Sequence, residues 1–320
     1  MERRAIGRTP VEVTPIVFGT SALGHMPDTY GYGVEEDRAR ATLDAIFAGP
    51  VNCLDTSNNY GFGRSEIRIG KAIRARGGLP GGFVISTKLD REMETGRFDA
   101  GQARRSIEQS LARLGVDKVG LLHLHDPEHA ADLDEITREG GALDELFKMK
   151  EEGIADAVGL AMGRVDMMLP ILRERPFDAL INHNRWTLLN RSADEMFDYA
   201  SSKGIAILNA APFAGGVLAK GADRMPKISY SPADETALEP VRRIEALVAE
   251  HGVAPGAVAL QFSTRDPRIT STIVGVSRPE RVRETLEWND KSLPPELLEA
   301  LSSLPYSMDD PEAHRDYRPG

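Results

Sequence analysis

The chain has 320 residues, a single cysteine and a formal net charge of −10, from 49 acidic and 39 basic side chains. This balance, with no block of lysine or arginine, argues against a nucleic-acid-binding surface. No apolar run approaches the roughly 18 residues of a membrane span, and no signal peptide precedes the folded sequence, so we expect a cytoplasmic protein. The single Cys53 excludes an intramolecular disulfide and a cysteine-rich metal site, and we interpret it as a small buried hydrophobe.

Short apolar runs alternate with amphipathic segments along nearly the whole chain. After a predicted hairpin at residues 3–13, strands are expected near 15–19, 51–55, 83–88, 119–124, 156–161, 178–182, 205–210 and 271–275. Helices are expected near 34–48, 64–76, 100–114, 139–152, 164–174, 192–203, 237–251 and 278–288. Eight strand–helix units favour a (β/α)8 TIM barrel over an open doubly wound sheet, whose glycine fingerprint is missing after the first strand. We therefore expect one domain over residues 1–320, with the hairpin plugging the bottom of the barrel.

Three segments depart from simple alternation. Residues 212–236 are predicted to form a long loop after the seventh strand, and long loops at the active face of a barrel are usually functional. Residues 254–265 add a helix before the eighth strand, and Pro294 starts a further helix, because proline suits the first turn. The residues after this last helix, including Tyr306 and Tyr317, are expected to be irregular.

Ionisable side chains stand at the ends of three predicted strands. Asp55 ends the second strand, Tyr60 lies in the loop beyond it, Lys88 ends the third strand and His125 ends the fourth. The carboxyl ends of barrel strands meet at one face, and a lysine at the end of an apolar strand needs a partner. An acid, a phenol, a cation and an imidazole make a set suited to proton transfer. For the stretch around Asp55 alone, loop capping by Asp55 with Tyr60 packed over it is an equally good interpretation.

Four motifs carry a wider similarity: Asp55-Thr-Ser-Asn-Asn-Tyr-Gly-Phe-Gly-Arg-Ser-Glu66, Ser86-Thr-Lys88, Leu124-His-Asp-Pro127 and Ile273-Val-Gly-Val-Ser-Arg-Pro-Glu-Arg281. With these motifs the chain resembles the aldo-keto reductase family from about residue 4 to about residue 303, and within it the branch of sugar and pyridoxal dehydrogenases. The resemblance implies a barrel enzyme that transfers hydride between NAD(P) and an aldose or small aldehyde. It implies a small-molecule carbonyl or sugar as partner, and it leaves the oligomeric state open.

The resemblance also implies a role for each strand-end residue. Tyr60 is the expected general acid and base at the substrate oxygen, although a free phenol is a poor acid or base at neutral pH, with a pKa of about 10. Lys88 is expected to favour the phenolate and lower that pKa, and Asp55 is expected to hold Lys88 in place. His125 is expected to donate a hydrogen bond to the same substrate oxygen.

Cofactor contacts are implied at positions matching the family's nucleotide site. These are Gly19, Thr20, Asp55, His183, Asn209, Pro212, Phe213, Gly216, Leu218, Gly275, Ser277, Arg278, Arg281 and Thr285. The helix beginning near Ser277 offers its N-terminus to a phosphate group. Ser277 and Glu280 also have the spacing of a capping box, which is a purely structural explanation for this motif.

Three features of the family, at four positions, are replaced in this chain. Gly275 takes the place of the usual lysine for the adenosine 2′-phosphate, so we expect NAD⁺ to be accepted, with at most a moderate preference for NADP⁺. Ala161-Met162 replaces the Ser-Asn pair that holds the carboxamide, and Ala210 replaces the tyrosine that stacks on the nicotinamide. His183, Asn184, Asn209 and Trp186 are the candidates to contact the carboxamide and the nicotinamide instead. For Trp186, ordinary packing is the alternative.

Two other classes of function remain open from the sequence. His123 and His125 form a His-x-His pair on one face of a strand, as in barrel hydrolases that depend on a metal. Zinc needs at least three protein ligands, and no suitable third ligand clusters at the other strand ends, so we expect no metal. His123 is then explained as a core histidine with a hydrogen-bonded ring. The second class is a nucleotide-binding auxiliary subunit with little turnover, against which the complete set of four residues argues.

Overall fold

The computed structural model describes residues 1–313, and its centre is a closed barrel of eight parallel strands. In barrel order the strands are Ile16–Gly19, Cys53–Asp55, Val84–Leu89, Val119–His125, Ala155–Ala161, Ala179–His183, Ala206–Ala210 and Ile269–Gly275. The eighth strand pairs with both the seventh and the first, which closes the barrel. The predicted (β/α)8 TIM barrel is confirmed.

A helix follows each strand and packs on the outside of the barrel. These helices are Glu36–Ala48, Arg64–Ala75, Ala100–Leu114, Ala142–Glu151, Val165–Glu174, Asp194–Lys203, Glu235–Glu250 and Pro279–Asp290. The two predicted additional helices are Pro255–Thr264 and Pro295–Ser302. Local signals set several boundaries. The third helix begins after Asp99, whose carboxylate accepts a bond from the Gln102 amide, and it ends at Gly115 with φ 71°.

Strand alternation divides the apolar side chains between two layers. Leu121 of the fourth strand faces the barrel interior, where it clusters with Cys53 and other buried side chains. Leu122 and Leu124 of the same strand belong to the outer cluster between sheet and helices. The same alternation carries Leu121, His123 and His125 on one face of the strand, so His125 is delivered to the upper end of the interior.

The N-terminal hairpin closes the lower end of the interior. Strand Arg4–Ala5 pairs with strand Glu12–Val13. Ile6, Val11 and Val13 are buried in the same cluster as the inward-facing side chains of the barrel. The predicted plug is therefore present, and any ligand must enter from the opposite end.

The region after the seventh strand is more ordered than the predicted loop. Residues 212–236 include the short helix Val217–Lys220 and a hairpin of Lys227–Ile228 with Ser231–Pro232. Two further short helices, Pro27–Tyr30 and Asp134–Thr137, were not predicted. These pieces are too short for their periodicity to be read from sequence. No helix within residues 1–313 is long and apolar enough to cross a membrane.

The segment after the last helix is anchored beside the barrel mouth. Ser307 forms an isolated bridge with Asn190, and the Arg191 guanidinium lies 3.9 Å from the ring centroid of Tyr306. The carboxylate of Glu312 accepts a bond of 2.8 Å from Asn184. Residues 306–312 are therefore held to the sixth strand's loop, and Tyr317 lies outside the described residues.

Candidate active site

A cavity of about 510 Å³ opens at the carboxyl ends of the barrel strands. Its lining includes Asp55, Tyr60, Lys88 and His125, together with side chains from the loops after the first and seventh strands. The four strand-end residues singled out in the sequence therefore meet in one place. Their assembly follows from the parallel barrel, in which all carboxyl ends share a face.

Lys88 is the hub of the tyrosine side of the cavity. Its Nζ donates to Asp55 Oδ2 at 2.6 Å, to the Thr56 carbonyl at 2.5 Å and to the Tyr60 hydroxyl at 3.2 Å. The second Asp55 oxygen accepts a bond of 2.9 Å from Ser86. The Lys88 side chain is only 2% exposed, so its charge is balanced inside the protein rather than by solvent. Asp55 is thus the partner that the strand-end lysine requires.

Glycine fixes the loop that carries Tyr60. Gly61 has φ +61°, and a Cβ at this position would lie 2.0 Å from the Gly24 carbonyl oxygen. Only a residue without a side chain fits so close to a neighbouring backbone in this conformation. The sequence Tyr60-Gly61 therefore places the backbone of the Tyr60 loop against the 3₁₀ helix Ser21–Gly24.

The electrostatics of Tyr60 differ from the sequence-based expectation. Burial, followed by the Asp55 carboxylate, raises the pKa of Tyr60 well above its usual value. Lys88 does not lower the pKa of Tyr60 as expected, because its ammonium group already donates to Asp55 and to the Thr56 carbonyl. The phenol is therefore protonated at neutral pH in the ligand-free protein, the state required of a proton donor.

His125 is held from one side by a network that the sequence did not reveal. Its Nδ1 lies 2.6 Å from Asp90 Oδ1 and 3.2 Å from Ser57 Oγ. Asp90 also accepts bonds from Ser57 and from the Asn59 amide. One signal was available, since Asp90 lies two residues beyond Lys88 and shares its strand parity.

The opposite nitrogen of His125 faces the cavity near a second carboxylate. Nε2 lies 3.5 Å from Asp126 Oδ2, which is longer than a normal hydrogen bond and leaves Nε2 free to donate. Burial lowers the pKa of His125, but the charges of Asp126 and Asp90 outweigh it, and the net shift is upward. The charged imidazolium is therefore more favourable here than in a free imidazole, and that form strengthens a bond from Nε2 to an oxygen that gains negative charge.

The far end of the cavity is lined by cations. Lys220, Arg278 and Arg281 lie within electrostatic reach of one another there, and Arg38 and Lys227 also line the cavity. Burial, then the charges of Arg281 and Arg278, lowers the pKa of Lys220. Cations that disfavour one another's charge in this way form a ready site for an anion such as a nucleotide phosphate. The residues present therefore fit the phosphate end of NAD(P).

The start of the eighth helix corrects one structural interpretation. The N-cap is Arg278, and no side chain caps this helix, which begins at Pro279. Ser277 lies before the cap and lines the cavity. The capping-box explanation of Ser277 and Glu280 is therefore wrong, because the helix begins later than the motif requires.

The structure separates the expected cofactor contacts into two groups. The first group lines the cavity: Gly19, Asp55, His183, Pro212, Phe213, Gly216, Gly275, Ser277, Arg278 and Arg281. The second lies outside the lining. Thr20 donates to the Asp55 carbonyl, Thr285 donates to the Arg281 carbonyl, and Leu218 is buried in the cluster under the seventh-strand loop. Asn209 belongs with these three, as its amide donates to the Trp186 carbonyl and to Ser263.

The replaced family positions also lie on the cavity wall. Ala161, Met162 and Ala210 line it, so small or apolar side chains stand where the family has polar and aromatic ones. His183 lines the cavity too, and its Nε2 lies 3.1 Å from Glu312 Oε1. Trp186 instead stacks on Phe262 at 5.6 Å between ring centroids. Trp186 is therefore a packing residue.

Asn184 and His123 have their own explanations. The Asn184 amide donates to Glu312 and ties down the terminal segment. His123 is fully buried, and burial followed by the Lys88 charge keeps its pKa well below the usual value. Its ring nitrogens have no partner of normal hydrogen-bond geometry among the described residues, contrary to the expectation of a hydrogen-bonded ring. Within residues 1–313, no group of three or more potential ligand side chains is arranged to hold a metal ion.

Comparison with known proteins agrees with this architecture. The sequence pattern of the Aldo/keto reductase family matches residues 15–304. The chain therefore belongs to the aldo/keto reductase family, whose members are oxidoreductases acting on aldoses and aldehydes.

Individual relatives cover most of the chain. L-galactose dehydrogenase from Arabidopsis thaliana is 30% identical over 89% of this chain and 87% of its own length. Pyridoxal 4-dehydrogenase from Microbacterium luteolum is 28% identical over 94% and 97%. D-threo-aldose 1-dehydrogenase from Pseudomonas sp is 28% identical over 84% and 88%. The expected similarity to sugar and pyridoxal dehydrogenases is confirmed.

A solved structure shares the fold. The holo form of aldo-keto reductase AKR11C1 from Bacillus halodurans superposes with a TM-score of 0.77. It covers 99% of this chain and 100% of its own, at 20% sequence identity. At this identity the likeness is evidence for the fold alone.

Proposed function

We propose that residues 1–320 form a single domain that catalyses NAD(P)-dependent interconversion of an aldose, or another small aldehyde or alcohol, with its oxidised or reduced partner. The observation that carries this proposal is the meeting of the Tyr60 hydroxyl, Lys88 Nζ and the His125 ring at one end of a cavity whose other end is cationic. The activities after which the sugar-dehydrogenase relatives are named support the same substrate class.

The side chains of this protein transfer a proton to or from one substrate oxygen. In reduction, the Tyr60 hydroxyl donates its proton to the oxygen of the carbonyl, and His125 Nε2 donates a hydrogen bond to the same atom. In oxidation, the Tyr60 oxygen accepts the proton from the substrate hydroxyl. The phenolate of Tyr60 is the base in oxidation and remains after proton donation in reduction. Lys88 stabilises this phenolate, and Asp55 holds the lysine in place.

The nucleotide would be held mainly by its phosphate groups. Lys220, Arg278 and Arg281 are the side chains placed to pair with them, and Gly275 leaves open space beside them. When bound, the nicotinamide supplies or accepts the hydride. Three cations in place of one lysine support acceptance of both NAD⁺ and NADP⁺.

Turnover assays test this proposal directly. The purified protein is mixed with NAD⁺ or NADP⁺ and a panel of aldoses, and the near-ultraviolet absorbance of the reduced nucleotide is followed. We expect oxidation of at least one free sugar, with the lactone as product. Nucleotide binding without turnover of any sugar or aldehyde in either direction would instead indicate a nucleotide-binding auxiliary subunit.

A further inference from the structure

The carboxylates around the cavity differ in how many hydrogen bonds they accept from the protein. Asp55 accepts bonds from Lys88 and Ser86. Asp90 accepts bonds from Ser57 and the Asn59 amide, and lies against the His125 ring. Each oxygen of these two carboxylates therefore already has a hydrogen-bonding partner inside the protein.

Asp126 differs from both of them. Its carboxylate lines the cavity and is 15% exposed. Among the described residues, its contact with protein groups is purely electrostatic, with His125, His183, His129 and Arg91 as the main charges. No hydrogen-bond donor within residues 1–313 satisfies its oxygens. An ionised acid in a cavity with unused acceptor sites calls for a donor from the ligand.

The backbone at Asp126 favours this display of the side chain. Asp126 has φ 44°, in the left-handed region that aspartate and asparagine tolerate better than other side chains. Its amide donates to the Ala161 carbonyl and its carbonyl accepts from the His129 amide, so both main-chain groups are fixed. The carboxylate therefore stands in a defined position beside the reacting centre.

The position of Asp126 relative to His125 defines what it would contact. Oδ2 lies 3.5 Å from His125 Nε2, the atom proposed to bind the reacting oxygen. In a 2-hydroxy aldehyde or a cyclic aldose, the oxygen on the neighbouring carbon lies about one hydrogen-bond length from the reacting oxygen. An oxygen bound at Nε2 thus brings the neighbouring hydroxyl within reach of the Asp126 carboxylate.

We propose that Asp126 is a substrate-specificity residue that accepts a hydrogen bond from the hydroxyl on the carbon next to the reacting carbon. This inference rests on the proposed oxidoreductase function and narrows its substrate class to 2-hydroxy carbonyl compounds and aldoses. A site built to pair a substrate hydroxyl discriminates strongly against an analogue without it, because its own polar group is then left unpaired.

The test uses two aldehydes that differ only in this hydroxyl, glycolaldehyde and acetaldehyde, reduced with NADPH or NADH. The quantity measured is the ratio of kcat/KM for glycolaldehyde to that for acetaldehyde. We expect Asp126→Ala to lower this ratio at least about tenfold relative to wild type. Asp126→Asn should lower the ratio by a smaller factor. Because asparagine tolerates the same backbone conformation, this variant also controls for misfolding of Asp126→Ala.

Asp90→Asn is the matched control, because Asp90 also acts on His125 but lies outside the cavity lining. It should slow both aldehydes by the same factor and leave the ratio unchanged. A ratio that is unaffected in both Asp126 variants would overturn the inference. A ratio that falls equally in Asp90→Asn would also overturn it, since Asp126 would then act only through the histidine.

A 2-deoxy aldose provides a second measurement in the oxidative direction. The best aldose of the panel and its 2-deoxy analogue should show the same loss of discrimination in Asp126→Ala. If the wild type reduces acetaldehyde and glycolaldehyde equally well, the inference fails while the oxidoreductase function stands. If the wild type turns over neither the aldehydes nor any aldose with either nucleotide, it is the proposed function itself that fails.

Discussion

The two ends of the cavity are built on opposite principles. At the tyrosine end, Lys88, Asp55 and Ser86 bond to one another, and the Lys88 side chain is almost wholly buried. At the cationic end, burial and then the charges of Arg281 and Arg278 lower the pKa of Lys220. Burial also lowers the pKa of Arg281, although Glu284 at 2.9 Å opposes this shift. One end is complete without a ligand, and the other becomes electrostatically satisfied when an anion binds.

This difference fits the tasks proposed for the two ends. Proton transfer needs groups held in fixed positions before the substrate arrives, which internal hydrogen bonds supply. Recognition of a charged ligand gains from charges that are unsatisfied beforehand, since the ligand then improves their energy. Variants at each end of the cavity test this difference.

Replacing Lys88 should damage the paired end most. Lys88→Met leaves the Asp55 carboxylate buried without its cation, and we expect a loss of about 3–5 kcal/mol in the free energy of unfolding. Denaturant titration measures it. Lys71→Met is the control, because the Lys71–Glu36 pair is more than half exposed on the lysine side and contributes less than about 1 kcal/mol. Equal, small losses of stability in both variants would show that leaving the buried Asp55 carboxylate without Lys88 costs little free energy of unfolding.

Removing the phenol should affect turnover and leave stability and nucleotide affinity nearly unchanged. Tyr60→Phe is expected to lower kcat at least about 10²-fold, the lower end of the range for a general acid. The control is Tyr32→Phe, which changes a tyrosine that lines the same cavity and is 38% exposed. A near-normal kcat in Tyr60→Phe would remove the tyrosine from the chemistry.

Glu128 differs from the paired acids Asp55 and Asp90, because one of its two carboxylate oxygens has no partner among residues 1–313. Its Oε1 accepts from the Gly163 amide at 2.7 Å, but Oε2 has no hydrogen-bond partner among residues 1–313. Burial, followed by the Asp126 charge, raises the pKa of Glu128 to about 7. The stability that this acid contributes is therefore fully present below its unfolded pKa of about 4.3 and is lost as the pH rises through about 7.

Glu128→Gln removes this titration while keeping an acceptor for the Gly163 amide. We expect the variant to be more stable than wild type by about 1–3 kcal/mol at about pH 8, with the difference vanishing near pH 4. Denaturant titrations at a series of pH values measure this, with Glu139→Gln as an exposed control that should show no such trend. A stability difference that does not change with pH would contradict the raised pKa.

The cationic end should distinguish the two nucleotides modestly. Lys220→Met removes one charge of the Lys220–Arg278–Arg281 group, and we expect about a tenfold loss of NADP⁺ affinity with a smaller loss for NAD⁺. Fluorescence titration at fixed ionic strength gives both Kd values, because phosphate contacts are screened by salt. Lys118→Met, at the opposite end of the barrel, serves as control. Equal losses for the two nucleotides would place Lys220 away from the 2′-phosphate.

Sequence reasoning predicted the barrel, the hairpin plug and the meeting of Asp55, Tyr60, Lys88 and His125. It succeeded because alternating strands and helices impose a parallel barrel, and a parallel barrel brings every strand's carboxyl end to one face. A residue at a strand end is thereby placed without knowledge of the loops. For Ser277, only the structural alternative was wrong, because the apparent capping motif lies just ahead of the actual helix start.

Side-chain partners that lie far apart in the chain were decided only by the tertiary structure. Asp90 and His125 are 35 residues apart, and no local pattern links them. The grouping of Lys220 with Arg281 and the raised pKa of Tyr60 likewise depend on loop paths and on burial. The same holds for the Asp126 oxygens, which accept no hydrogen bond from residues 1–313. A sequence pattern repeats over a few residues and so determines which face a side chain takes, whereas distances, desolvation and spare hydrogen-bonding capacity arise only once distant segments pack together.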